Sequence, residues 1–426
     1  MKPKIQYIIF GIAALVLAIM GVVILVIAIG GARSAQSGFN VETAVAQELP
    51  RRLETIVAQQ LTDAVGGGAA SNTIPAQPSG QNPPQSSVTP TKEDADPSSF
   101  VWNVEYPDPE TGVGRQPSLA IDQNNRPHIA HFYQDGAKLL YTHLGDNGWE
   151  TIVVDQSNGN GLHPSLKLDS TDKPQITHTV MDTRVMMYLR WTGTIWQQAA
   201  WLTNIKVGDT SLALDNTDLP HIAVYDSEKS TLLYAAFNQG ILTATPIASI
   251  GPEGVYFPLA LKITGEPCVA YFDVTAGLKF AELKNGNWET TVVDPGQSVG
   301  LYPALTIDPW NNPHISYFDQ TQGVLKHAVF KDGTWKTEVV DSGNVGKSSS
   351  IVVDTKTRIH ISYYDETNRS LKYAVFANNK WQVSVVDINK VGSDTSIALD
   401  KNGFPHIAYY SKAEQTLKYV SASKAP

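Results

Sequence analysis

A single cysteine, Cys268, stands in 426 residues, so no internal disulfide can staple the chain. Positive charge is also short: 32 Lys and Arg against 41 Asp and Glu leave a formal charge of −9. That balance excludes a surface built for nucleic acid, which selects basic faces. The sequence has no His-Glu-x-x-His pair, no calcium-loop pattern and no nucleophile elbow, so the common metal hydrolases and serine hydrolases are excluded. No cofactor and no metal are expected. What remains is abundant Gly, Pro, Tyr and Trp with only 17% charged residues, the composition of many short strands joined by tight turns.

Charge is absent altogether from residues 7–31, where Ile, Val, Leu, Ala and Gly dominate. At about 1.5 Å per residue this stretch spans a hydrocarbon core of roughly 30 Å as a helix. Residues 1–33 are therefore expected to form a single transmembrane anchor. Lys2 and Lys4 precede it, which favours a cytoplasmic N-terminus and an extracytoplasmic remainder at the cell membrane. A cleaved signal peptide is the second reading, because residues 32–35 offer small side chains to a peptidase. Residues 41–65 carry Val41, Val45, Leu49, Leu53, Ile56, Val57, Leu61 and Val65 at helical spacing, interrupted by Pro50. They are expected to form an amphipathic stalk helix, either lying on a surface or joining copies of the chain into an oligomer. Residues 66–99, rich in Gly, Ser, Pro and Gln, cannot bury enough apolar surface to fold and read as a flexible linker.

Beyond residue 100 the chain repeats. A short apolar strand closes on a marker residue at Asp122, Asp169, Asp215, Lys262, Asp308, Asp354 and Asp400, always 46 or 47 residues apart. Each unit holds four strand signals: SLAID at Ser118, PHIAHFY from Pro127, LLYTHL from Leu139 and WETIVVD from Trp149 illustrate the order. Four short strands at a period of about 40–50 residues mark a propeller blade. Seven units predict an all-β, seven-bladed β-propeller over residues 100–426. The last unit lacks a fourth strand after LKYVSA, while an orphan strand WNVEY precedes the first. Strand 102–107 is expected to close the ring by completing the last blade, because open ends would leave unpaired edges.

The repeated PHIxYYD, LKYA and W-x-x-x-VVD segments resemble the extracellular propeller repeats of bacteria and archaea grouped with the sialidase-like (BNR-like) superfamily. The resemblance covers residues 102–426 and implies the propeller fold; propellers host lectins, hydrolases and protein-binding scaffolds alike. Two departures stand out. Sialidases carry S-x-D-x-G-x-x-W boxes, of which residues 146–149 and 331–335 keep only fragments. Sialidases also typically have six blades.

Symmetry sorts the candidate residues. His128, His221, His314, His360 and His406 occupy one equivalent position, with Gln175 and Cys268 in the other two units. So regular a placement predicts hydrogen bonding between strands or blades rather than metal binding. The Trp opening the fourth strand in six units predicts packing between blades. Asp226, Asp273, Asp319 and Asp365 at the ends of second strands predict turn chemistry.

Function is sought where the repeat varies. Six residues before each marker stand Gln116, His163, Asp209, Tyr256, Tyr302, Ser348 and Asp394. His163, Asp209, Tyr256, Phe257, Tyr302 and Asp394 are the expected ligand-binding residues, at the mouth of the central channel, where aromatic faces beside hydroxyls and carboxylates suit a sugar or a peptide. The six arginines of the repeat region do not gather at that mouth in the sequence pattern, so no catalytic residue is assigned. The leading expectation is a membrane-anchored, non-catalytic module binding glycan or protein at the cell surface. A structural subunit of a membrane complex and a sialidase-like glycoside hydrolase are the other two readings.

Overall fold

The computed structural model describes residues 100–424 apart from 156–159, 181, 182, 184, 203–206, 252–255 and 389–390. The expected anchor 1–33, stalk 41–65 and linker 66–99 lie outside the described residues.

Twenty-eight strands form seven antiparallel sheets of four. The inner strands, lining the axis, are Arg115–Ile121, Asn160–Leu168, Val207–Leu214, Leu259–Leu261, Val299–Ile307, Val345–Val353 and Val391–Leu399, and they open blades 1 to 7. In blade 7 the outer position is filled by Phe100–Asp108, which pairs antiparallel with Thr416–Lys424 in the register Trp102↔Ala422 and Glu105↔Tyr419. The chain is thus a closed seven-bladed β-propeller whose last blade is built from both ends of the described chain.

Among the described residues the apolar core is divided rather than single. Seven apolar clusters lie between neighbouring blades, such as Met186, Tyr188 and Leu202 of blade 2 against Leu212, Ile222 and Val224 of blade 3. The period-2 pattern of the strands explains this arrangement: each sheet is apolar on both faces, and each face meets the next blade. The fourth-strand tryptophans fill these seams. Trp149, Trp196, Trp288, Trp335, Trp381 and Trp102 stand edge-on or tilted to Tyr141, Tyr234, Tyr373, Tyr419, Phe280 or His327 of the preceding blade, with centroids 5.1–5.5 Å apart.

The recurrent polar residues hold turns and seams. Each marker aspartate accepts backbone N–H bonds across the turn that follows it, as Asp354 Oδ1 does from Lys356 and Arg358 at 2.9 and 2.7 Å. The other oxygen of Asp122, Asp215, Asp308 and Asp354 faces the second-strand histidine at 3.4–3.6 Å, as for Asp354 and His360 at 3.6 Å. That histidine binds the third-strand tyrosine through Nδ1, as His360 does with Tyr373 Oη at 2.6 Å. Gln175 serves Tyr188 in the same place, and His314 uses His327 instead, at 3.0 Å. Blade 4 replaces the whole set together: Lys262 pairs with Glu282, Cys268 Sγ lies 3.4 Å from the Ala260 carbonyl, and Phe280 takes the tyrosine's place. Buried Tyr–Asp–Lys clips add a second tie between blades, as where the Tyr409 hydroxyl and Lys418 Nζ both donate to Asp387 Oδ2 at 2.7 Å. At the ends of second strands, Asp226, Asp273, Asp319 and Asp365 accept backbone N–H bonds two or three residues on.

Candidate functional site at the axial mouth

The inner strands do not run straight into the channel. Pairing with the second strand slips between Arg115 and Ser118, Leu162 and Ser165, Leu301 and Ala304, and Lys347 and Ser350. Within each slip one residue adopts a left-handed backbone: Gln116 (φ 51°), His163 (50°), Tyr302 (51°) and Ser348 (49°). Four equivalent residues in a region that non-glycine side chains rarely occupy are the mark of a bulge geometry repeated from blade to blade that re-aims a side chain.

A glycine two residues earlier makes the bulge possible. Gly114, Gly161, Gly300 and Gly346 also have positive φ, and a Cβ on Gly161 would stand 2.7 Å from the Leu139 backbone nitrogen of the preceding blade. Only a residue without Cβ lets the backbones approach this closely.

Two rings of short hydrogen bonds fix what lies between. Ser118, Ser165, Ser211, Ser350 and Ser396 each accept, on Oγ, the backbone N–H of the next blade's inner strand at 2.9–3.2 Å. Thr210, Ser349 and Thr395 donate to the carbonyls of His163, Tyr302 and Ser348 at 3.1, 3.4 and 2.9 Å. The variable residue of one blade is thereby pinned by its neighbour.

These devices bring all seven variable positions, Gln116, His163, Asp209, Tyr256, Tyr302, Ser348 and Asp394, to the wall of one cavity of about 210 Å³ on the axis. The six residues expected from the sequence all line it. Phe257 does so from behind: it is 2% exposed and packs in the cluster between blades 3 and 4, 6.3 Å from the Tyr225 ring. Tyr256 and Tyr302 pack against each other at a tilt, with ring centroids 5.0 Å apart and planes at 54°.

The polar side of the wall is one connected chain. The Gln116 N–H donates to Asp394 Oδ2 at 3.2 Å, and Gln116 Oε1 accepts the His163 N–H at 2.9 Å. The Gln116 amide nitrogen lies 3.1 Å from His163 Nδ1, and that ring nitrogen forms an ion pair with Asp209 Oδ1. Asp209 Oδ2 is buried and has no hydrogen-bond partner among the described residues.

Charge follows from this geometry. Burial works against a charged imidazole at His163, but the carboxylates of Asp209 and Asp394 outweigh it and hold the ring above its ordinary value of 6.5. Burial likewise pushes Asp209 above the ordinary carboxylate range; His163 opposes that rise and Asp394 reinforces it. Tyr256 is raised by burial first and then by Asp394 and Asp209, so its phenol stays protonated. No lysine or arginine is among the described residues lining the cavity.

Sequence reasoning found the variable ring but not what aims it. The signal was present: a glycine stands eight residues before the marker in six of seven units, Gly114, Gly161, Gly254, Gly300, Gly346 and Gly392. The polar pins at Thr210, Ser349 and Thr395 carry no comparable signal, because Ser and Thr are common in any strand.

Fold and mouth together define a seven-bladed β-propeller with an axial pocket. No protein-family model matches the chain, and no curated protein matches it. Among solved structures it is similar to an Aleuria aurantia lectin in complex with Fucα1-6GlcNAc, at 15% identity over 66% of this chain and 98% of the lectin, TM-score 0.47. It is also similar to the intramolecular trans-sialidase from Ruminococcus gnavus, at 12% identity over 76% of this chain and 97% of that one, TM-score 0.41. A protein of unknown function from Dyadobacter fermentans shares 11% identity over 76% of this chain and 98% of that one, TM-score 0.47. At these identities the likeness concerns chain path alone.

Proposed function

We propose that this protein is a non-catalytic binding module that takes a glycan at its axial mouth, displayed outside the cell membrane by residues 1–33. The observation that carries the reading is a division of labour. Residues repeated in most blades are spent on turns and seams, whereas the seven that vary all face one cavity. Paired tyrosine rings beside a carboxamide, a hydroxyl and carboxylates offer the mixture of apolar stacking and hydrogen bonding that a sugar ring uses. At about 210 Å³ the cavity falls below the roughly 300–1,000 Å³ of sites that enclose drug-sized ligands, and fits one sugar unit rather than a folded partner.

The same wall argues against sialidase-type hydrolysis. A tyrosine nucleophile needs its phenol activated, and Tyr256 is shifted the other way. An acidic sugar needs a guanidinium cluster, and its carboxylate here would meet Asp209 and Asp394 instead.

The test is a glycan panel probed with the full chain and with the triple variant His163→Ala, Tyr256→Ala, Tyr302→Ala. Glycan retention by the parent and its loss in a variant with an unchanged melting temperature is the expected outcome. Equal retention by both removes the mouth as the site.

A further inference from the structure

The cavity wall is unbalanced. Two carboxylates, Asp209 and Asp394, line it with His163 as the sole basic group among the described lining residues. His163 already engages Asp209 Oδ1. Asp209 is 7% exposed, yet its Oδ2 has no hydrogen-bond partner among the described residues. A buried carboxylate is ordinarily paired or protonated, so an oxygen left in this state beside an accessible cavity marks a place for a donor.

We propose that the sugar seated in the mouth is an amino sugar, whose protonated primary amine completes the pairing of Asp209. The inference rests on the reading of the mouth as a glycan site and adds the ligand's charge to it. A hydroxyl could occupy Asp209 Oδ2 as a neutral donor. An ammonium donates to the carboxylate with a charge of its own, and charge-assisted bonds are the stronger kind. The tilted rings of Tyr256 and Tyr302, 5.0 Å apart, supply aromatic surface on the same wall for the sugar ring. N-acetylation removes the charge and adds bulk in a small cavity. A lysine side chain supplies the same ammonium, but its flexible stem makes no use of the paired rings and the carboxamide of Gln116 around it.

The experiment is calorimetric titration of the full chain at neutral pH with D-glucosamine, N-acetyl-D-glucosamine, D-glucose, N-acetylneuraminic acid and Nα-acetyl-lysine amide. Glucosamine is expected to bind about tenfold tighter than glucose or the N-acetylated sugar, the margin of one charge-assisted bond. The acidic sugar should not bind, and added salt should weaken glucosamine alone. In Asp209→Asn the preference for glucosamine over glucose should vanish. Should that variant melt early, Asp394→Asn tests the second carboxylate with the same expected direction. Equal binding of glucose and glucosamine overturns the charge inference while leaving the glycan reading intact. Tightest binding of the lysine amide overturns both in favour of a peptide ligand, and silence from every probe overturns both outright.

Discussion

Trp102, on the strand that precedes blade 1, stands edge-on to Tyr373 of blade 6, with ring centroids 5.2 Å apart and planes at 70°. The contact repeats the seam found at the other tryptophan-bearing blades, but here it is made by the strand that closes the circle. Trp102→Ala should therefore lower stability by about 2–3 kcal/mol, below the range for a fully buried Trp because this ring is half-buried. Loss of residues 100–108 should abolish cooperative unfolding, since it strips blade 7 of its outer strand and exposes the seam with blade 6. Chemical denaturation of the two variants checks both. A truncated chain that still unfolds at the parental midpoint would falsify the closure as a source of stability.

At the mouth, Gly161→Ala and Gly300→Ala should cost about 1–3 kcal/mol or more through backbone overpacking. Their added methyl groups would stand 2.7 Å from the Leu139 nitrogen and 2.6 Å from Leu278 Cβ. Gly148, at φ 112°, meets nothing within 4 Å, so Gly148→Ala isolates the conformational cost of a left-handed backbone, about 1 kcal/mol. The rim variants should also lose ligand affinity, because the bulge that aims His163 or Tyr302 is displaced. Retention of binding by both would separate the glycines from the site.

Acid should weaken the fold through its buried histidines. Burial lowers His128, His131, His178, His221, His314, His360 and His406, with His131 brought to about 3 and His178 and His314 to about 4. The unfolded chain takes up these protons below its ordinary value of 6.5, whereas in the native chain burial delays the uptake to lower pH. Stability is therefore full above 6.5 and falls as pH drops through that window, by about 1.4 kcal/mol per pH unit for each proton taken up. His163 has the opposite sign and offsets one member of the set. Urea midpoints measured from neutral pH downward should slide steadily. A midpoint unchanged down to pH of about 4 would contradict the neutral, buried state of these rings.

The ring was legible in the sequence because its cause is periodic. A marker every 46 or 47 residues, a tryptophan opening six of the fourth strands and an orphan strand at one end suffice to count blades. The variable positions were legible for the same reason, as the places where the period is broken. Less legible were relations between neighbouring blades at the same height. The ion pair of His163 with Asp209 joins blades 2 and 3, and neither residue announces the other in sequence. Nor does the sequence show that Phe257, which adjoins Tyr256 in the chain and lines the same cavity, packs its ring into the cluster between blades 3 and 4. Blade 4 hides a further relation, since Lys262, Cys268, Phe280 and Glu282 each look like an isolated departure and make sense only as one exchanged set.

The bond from the Thr416 hydroxyl to the Asp108 carbonyl spans 308 residues. Translation delivers its two halves at opposite ends of the work: Asp108 leaves the ribosome before any blade exists, and Thr416 arrives after six are finished. Until that moment the newborn polypeptide is an open arc with one lone strand trailing and two bare flanks. Long-range pairing of this kind is slow and leaves sticky edges exposed meanwhile. Closure therefore waits on the last strand to be made, and a chain cut short before Thr416 would leave Phe100–Asp108 without the partner it pairs with.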